Sequence, residues 1–176
     1  MNTYNAARLT EIMALAGKSV NSITGIEMAF SEPDAGPLFA DQNFKGVQLA
    51  CLWLEAQTGI FEIRTYPNDD GYGLSVVEIS REQLIKQSQQ DSDRKSIFRH
   101  YQLTGLELGE ILRVRTENDD LGAVCIVHLV FEESTVSIVA GEIYDDGHDA
   151  LRFCKPDESL LLFVDPDEIS RVSWYQ

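Results

Sequence analysis

Basic charge is scarce in this sequence: 14 Lys and Arg stand against 29 Asp and Glu, a formal net charge of −15. Phosphates are repelled by such a chain, which argues against non-specific nucleic-acid binding and against docking on anionic membranes. Cysteine is scarce too. Cys51, Cys125 and Cys154 are odd in number, widely spaced and set in apolar strand-like runs without a C-x-x-C pair. They read as free, buried thiols in a reducing compartment. No segment supplies the run of about 20 apolar residues that a spanning helix needs. Met1 to Ala16 has neither the basic nor the continuous apolar part of a secretory signal, so a cytoplasmic protein is expected. Also missing are G-x-S-x-G, a phosphate-binding P-loop, G-x-G-x-x-G after a strand, and H-E-x-x-H. The residues carry no enzyme signature and imply no cofactor.

What the sequence does have is β structure, centred on Leu121 to Glu142. Gly122 to Phe131 is β-branched and apolar on both registers, with Val124, Ile126 and Val130 on one and Ala123, Cys125, Val127, Leu129 and Phe131 on the other. Such a strand must be covered on both faces. After the polar Glu132, Glu133 and Ser134 the run resumes as Thr135 to Ile143. There Val136, Ile138 and Ala140 face one way and the more polar Thr135, Ser137 and Gly141 the other. This predicts a hairpin whose second strand has the wetter face.

Elsewhere the order is regular. Leu9, Ile12, Met13 and Ala16 fall at helical spacing, Thr3 or Asn5 serves as cap, and Gly17 follows, which predicts an amphipathic helix over residues 3–16. Strands are expected within 18–79. Lys18 to Phe30 alternates and leads to a long loop from Ser31 to Lys45, Val47 to Leu54 is apolar on both registers, and Ile60 to Tyr66 and Leu74 to Ile79 complete a meander. Residues 80–101 form a helical insert. Ser80 and Gln83 make a capping box for a polar helix to about Gln90, and a second short helix is expected over Arg94 to Tyr101. Strands return within 110–175: Leu112 to Thr116, the central hairpin, Leu151 to Cys154, Ser159 to Val164 and Ile169 to Tyr175. The length suits one ordinary domain over residues 1–176. The fold class is therefore α+β, mostly β: two antiparallel β-meanders forming a sandwich or open barrel, with an N-terminal helix and a short helical insert.

Candidate site residues lie at the turns. Asp145, His148 and Asp149, with Asp146 between, concentrate carboxylates and an imidazole within five residues, a donor set suited to a hard or borderline divalent cation. The loop lacks the alternation and distal Glu of an EF-hand, and a solvated acidic turn accounts for it more simply. Cys125 and His128, three apart on a strand, point to opposite faces and cannot act as nucleophile and base. Tyr66, Tyr72 and Tyr144 sit beside the acidic turns of Asp69, Asp70, Asp145 and Asp146, together a candidate partner-binding surface. Phe39 and Phe44 also sit beside loops.

The functional expectation is a non-catalytic interaction protein whose acidic surface binds a basic protein partner, in the manner of an inhibitor or immunity protein. The plainer account of the charge is solubility. A rival from another class is a small-molecule-binding or hydrolytic β-barrel using the interior between the two meanders, with His100, His128 or Arg113 as polar anchor. Residues 80–101 are net positive, with five basic residues against three acidic. This raises the further expectation of a homodimer held through Arg94, Lys95 and Arg99.

Overall fold

The computed structural model describes residues 3–32, 36–41, 44–68, 71–92, 97–145 and 151–175. An N-terminal helix, α1 (Thr3–Met13), precedes β1 (Val20–Met28), β2 (Val47–Ala56), β3 (Gly59–Asn68) and β4 (Gly71–Ile79). Then come α2 (Arg81–Ser92), β5 (Phe98–Gln102), β6 (Arg113–Asn118), β7 (Val124–Val130) and β8 (Thr135–Ala140). The chain continues through β9 (Glu142–Asp145), β10 (Leu151–Cys154), β11 (Leu160–Phe163), α3 (Pro166–Arg171) and β12 (Trp174–Tyr175). The result is α+β and mostly β, an antiparallel sheet curled into a half-barrel.

The long strand β2 is where the sheet branches. One edge pairs with β1; the other is shared, Val47 to Leu49 pairing with β11 and Leu52 to Ala56 with β3. From there β3–β4 runs one way and β11–β8–β7–β6 the other, while β5 adds to the outside of β1. The curl brings the start of β1 round to the chain before β6. Val20 N donates to Gly109 O at 2.8 Å and Ile111 N to Lys18 O at 2.9 Å. Gly17, at φ 78°, ends the turn after α1 and donates its N–H to Ile111 O, a conformation that any other residue would adopt with strain.

Three apolar clusters hold these layers. The interior of the curl is filled by side chains from α1 (Ile12), β2 (Leu49, Leu52, Leu54), β4 (Leu74, Val76), β7 (Val127, Leu129) and β8 (Val136, Ile138). A second cluster covers the outside of β7, β8 and β11, where Ile126, Val139, Leu161 and Phe163 meet Phe44, Phe153, Ile169 and Trp174. Phe44 packs edge-on to Phe163, with ring centroids 5.6 Å apart, and Phe153 edge-on to Trp174 at 6.3 Å. The third lies outside β1 to β4, where α2 lays Leu84 over Ile26, Trp53, Ile60 and Ile79.

The hairpin read from Leu121 to Glu142 is present as β7 and β8, and β7 is covered on both faces, Ile126 being 1% exposed. Its partner is not wetter. Ser137 and Val139 are both fully buried beneath the second cluster, and Ser137 stays there because its hydroxyl meets His128 Nδ1 at 2.8 Å. Nor does Thr135 to Ile143 run as one strand: β9 leaves for a separate three-stranded sheet with β10 and β12. Gly141 marks the departure, since a Cβ there would lie 2.8 Å from Cys154 O.

Two elements differ in type. The helix expected over Arg94 to Tyr101 is replaced by strand β5, because β1 offers it an open edge and Thr24 to Met28 pair with Phe98 to Gln102. The strand expected over Ile169 to Tyr175 is helix α3 as far as Arg171 and strand only at Trp174–Tyr175, as β12. Asp165 caps the helix by accepting from Asp167 N at 2.9 Å, Pro166 opens the first turn, Asp167 and Glu168 sit at its positive end and Arg171 at its negative end.

Candidate functional site

Carboxylates gather around the loop of residues 155–159, between β10 and β11. The loop lies against the turn that opens β4, with Pro156 touching Gly71. Thr65 Oγ1 of β3 donates to Glu158 O. Tyr72 Oη donates to Glu158 Oε2 at 3.4 Å, and Tyr144 Oη to Asp157 Oδ2 at 3.2 Å. Beside them Glu142 Oε2 accepts from Ser159 Oγ at 3.1 Å. Asp145, further along β9, accepts from Ser31 Oγ at 2.6 Å. Three carboxylates and two tyrosines thus meet at one edge of the small sheet.

Among the described residues Glu142, Asp157 and Glu158 form no ion pair, although seven such pairs occur elsewhere. Lys155, next in the chain, is turned away with its Nζ 4.8 Å over the Trp174 ring. Burial raises the Glu142 carboxyl above its ordinary range; Asp157 and Glu158 push it further, against the opposing Ser159 hydrogen bond. Desolvation and then Glu142 and Asp157 raise the Tyr144 hydroxyl, as desolvation and Glu158 raise that of Tyr72. Both tyrosines therefore stay protonated as donors at neutral pH. Such a site can receive ammonium or guanidinium groups. Among the described residues no three acidic, His or Cys side chains are placed to hold a metal ion.

A second acidic feature lies apart in sequence. Glu107, Glu110, Glu132 and Glu133 line a groove of about 290 Å³ in which Leu112 is 59% exposed.

Compared with protein-family models and with characterised proteins, the chain matches none. Its chemistry is therefore read from its own residues.

Of the candidate partner-binding residues, Tyr72, Tyr144 and Asp145 are brought to the region of the loop. Tyr66 is not available: it is 7% exposed, its hydroxyl donates to Asn5 Oδ1 at 3.2 Å and the Arg8 guanidinium lies over its ring. Its neighbour Pro67 and the turn beyond suggested exposure, but its place on β3 turns the ring under α1. Phe44 is likewise core. Asp69, Asp70 and Asp146, the metal candidates His148 and Asp149, and Arg94 and Lys95 of the dimer reading lie outside the described residues. Arg99 is engaged within its own chain, with Nε and Nη2 donating to the Glu27 carboxylate at 2.6 and 3.0 Å and the guanidinium stacked on Phe39.

Cys125 and His128 are not on opposite faces. A bulge sets Glu117 opposite Ile126 and Asn118 opposite Val124, which leaves Cys125 as the extra residue and turns it outward, to the side His128 occupies. They still form no catalytic pair. Cys125 Sγ donates to Glu117 O, burial raises its thiol, and His128 is held between Ser137 and Glu117 Oε1 at 3.3 Å. Glu142, Asp157 and Glu158 were not singled out by sequence. Only the run Pro156-Asp157-Glu158 hinted at an acidic turn, and its partners Tyr72 and Thr65 lie 86 and 93 residues away.

Proposed function

We propose that this protein is a non-catalytic interaction protein that binds a basic protein partner through its acidic surface, in the manner of an inhibitor or immunity protein. The observation that carries this reading is the uncompensated cluster of Glu142, Asp157 and Glu158 between Tyr72 and Tyr144. Asp157 and Glu158 help to raise the Glu142 carboxyl, so a partner's Lys or Arg beside it relieves a cost already present in the free protein. The tyrosine rings add flat apolar area beside the charges, the composition found at interface centres. The net charge of −15 steers a basic partner toward the surface from a distance.

Affinity capture from host lysate tests it. The wild type should retain a basic protein at low salt and release it near 0.5 M, where the Debye length falls to about 4 Å. Asp157→Lys with Glu158→Lys should retain much less. A wild type that captures no basic protein at low and at moderate salt ends this reading.

A further inference from the structure

The chain leading into β2 and the chain leaving α3 come together over the small sheet, and between them a cleft of about 330 Å³ stays open. That volume is at the lower end of the range for ligand pockets, about 300–1,000 Å³, and suits one or two fused rings. Aromatic side chains form its floor. Phe44 and Phe153 meet there with ring centroids 5.2 Å apart and planes at 39°, and Phe163 lies edge-on to Phe44. Gly46 permits this packing, because a Cβ there would run into the Phe44 ring and lie 3.0 Å from Phe163 Cε1. Leu151 and Val172 add aliphatic sides, and the Tyr175 ring lines the cleft while 55% exposed.

The charge on this cleft runs against that of the chain. Among the described residues its ionic lining is Lys45, Arg171 and Glu168, two cations against one carboxylate, in a protein of net charge −15. The groove beside Leu112, by contrast, is lined by four glutamates and no base. Lys45 is exposed and forms no ion pair among the described residues. Arg171 gives Nη1 to Glu168 Oε1 at 2.5 Å, and its side chain is 65% exposed. A guanidinium carries five N–H groups in a fork, so Nε and Nη2 remain to donate. A third cation, Arg152, lies over the Tyr175 ring, 4.8 Å from its centroid.

We infer that this cleft binds a small aromatic carboxylate, one or two fused flat rings carrying a single negative charge. The ring lies on the Phe44–Phe153 floor, where ring-to-ring contact adds to apolar burial. Its carboxylate sits in the positive field of Lys45 and Arg171, and the unused edge of the Arg171 fork suits its two oxygens. One charge matches the excess of one cation in the lining. A doubly charged phosphate would keep one charge uncompensated beside Glu168 and within the field of an acidic chain. The cleft shares no residue with the cluster of Glu142, Asp157 and Glu158, so the two readings stand or fall separately.

The test is an NMR titration of the isotope-labelled full chain with 2-naphthoate, followed at the backbone amides. Those of Lys45, Leu151, Val172 and Ser173 should move saturably, while those of Glu142 and Glu158 stay. 2-Naphthamide, of the same shape without the charge, should bind about fivefold or more weakly, the ordinary effect of losing two exposed ion pairs. Acetate, the charge without the ring, should leave the cleft amides unmoved at the same concentration. Lys45→Gln with Arg171→Gln, both exposed changes, should weaken 2-naphthoate to the level of 2-naphthamide and leave 2-naphthamide itself unaltered. Unmoved cleft amides, 2-naphthamide or acetate binding as tightly, or unchanged 2-naphthoate binding by the double variant overturns the inference. Tighter binding of 2-naphthyl phosphate than of 2-naphthoate overturns the choice of a singly charged acid.

Discussion

One curled sheet has two outer faces, and they are covered in different ways. Outside β7, β8 and β11, a three-stranded sheet and α3 bring Phe44, Phe153 and Trp174 down onto Phe163; the side chains beneath are buried, although a cleft of about 330 Å³ remains beside Phe44, Phe153 and Val172. Outside β1 to β4 a single helix, α2, delivers Leu84 and leaves Ile85 half exposed, a groove open and the Trp53 N–H unpaired. Rings set edge to face fill a flat outer surface well, whereas one narrow, polar helix lays down only one stripe of side chains. The number of elements and rings laid over it separates the thickly covered face from the thinly covered one.

The largest effect should come from charging the thickly covered face. Ile126→Asp buries an unpaired carboxylate under the second cluster, at a cost of several kcal/mol, and should leave the chain unfolded by circular dichroism. A folded, stable Ile126→Asp protein would show that this cover is loose. Next is truncation on the two sides. Phe163→Ala should cost about 3–5 kcal/mol in denaturant unfolding and Leu84→Ala about 2, since Phe163 is the larger side chain and the more deeply buried. Equal losses would erase the contrast.

Trp53→Phe should cost about 1–2 kcal/mol for the cavity the smaller ring leaves, with nothing added for the N–H, which has no partner to lose. A loss well above that would mean the indole is hydrogen-bonded after all. Smaller still is a pH effect at the acidic cluster. The fold favours protonated Glu142, so that contribution is fully present below the ordinary value of 4.5 and is lost as pH rises through the raised native value. Glu142→Gln should therefore melt above wild type at neutral pH and converge with it in mild acid. The expected effect of reducing agent is nil, because all three thiols are free; a fall in melting temperature on reduction would point to a disulfide.

Much of the fold was legible because hydrophobic alternation and turn residues are local signals. The strands around Val47 to Ile79 and the hairpin about Glu132 and Glu133 follow from them directly. What failed depended on partners. Ile97, Phe98 and Tyr101 fit a helix by spacing, and only the open edge of β1 makes Phe98–Gln102 a strand. The α3 start is readable in Asp165, Pro166, Asp167 and Glu168, a cap, a first-turn proline and two carboxylates at the positive end. The bulge at Cys125 shifted a register that alternation alone cannot see. At the acidic site the tyrosines were visible beside their turns, whereas Glu158 reaches Tyr72 only through the folded sheet.

The most direct test of the functional account is to add a short oligolysine peptide to the isotope-labelled protein at low salt and map the amide shifts. The account predicts that the largest changes fall at Tyr72, Glu142, Tyr144, Asp157 and Glu158 and vanish when salt is raised. Shifts spread evenly over all acidic turns, or none at this cluster, would contradict it.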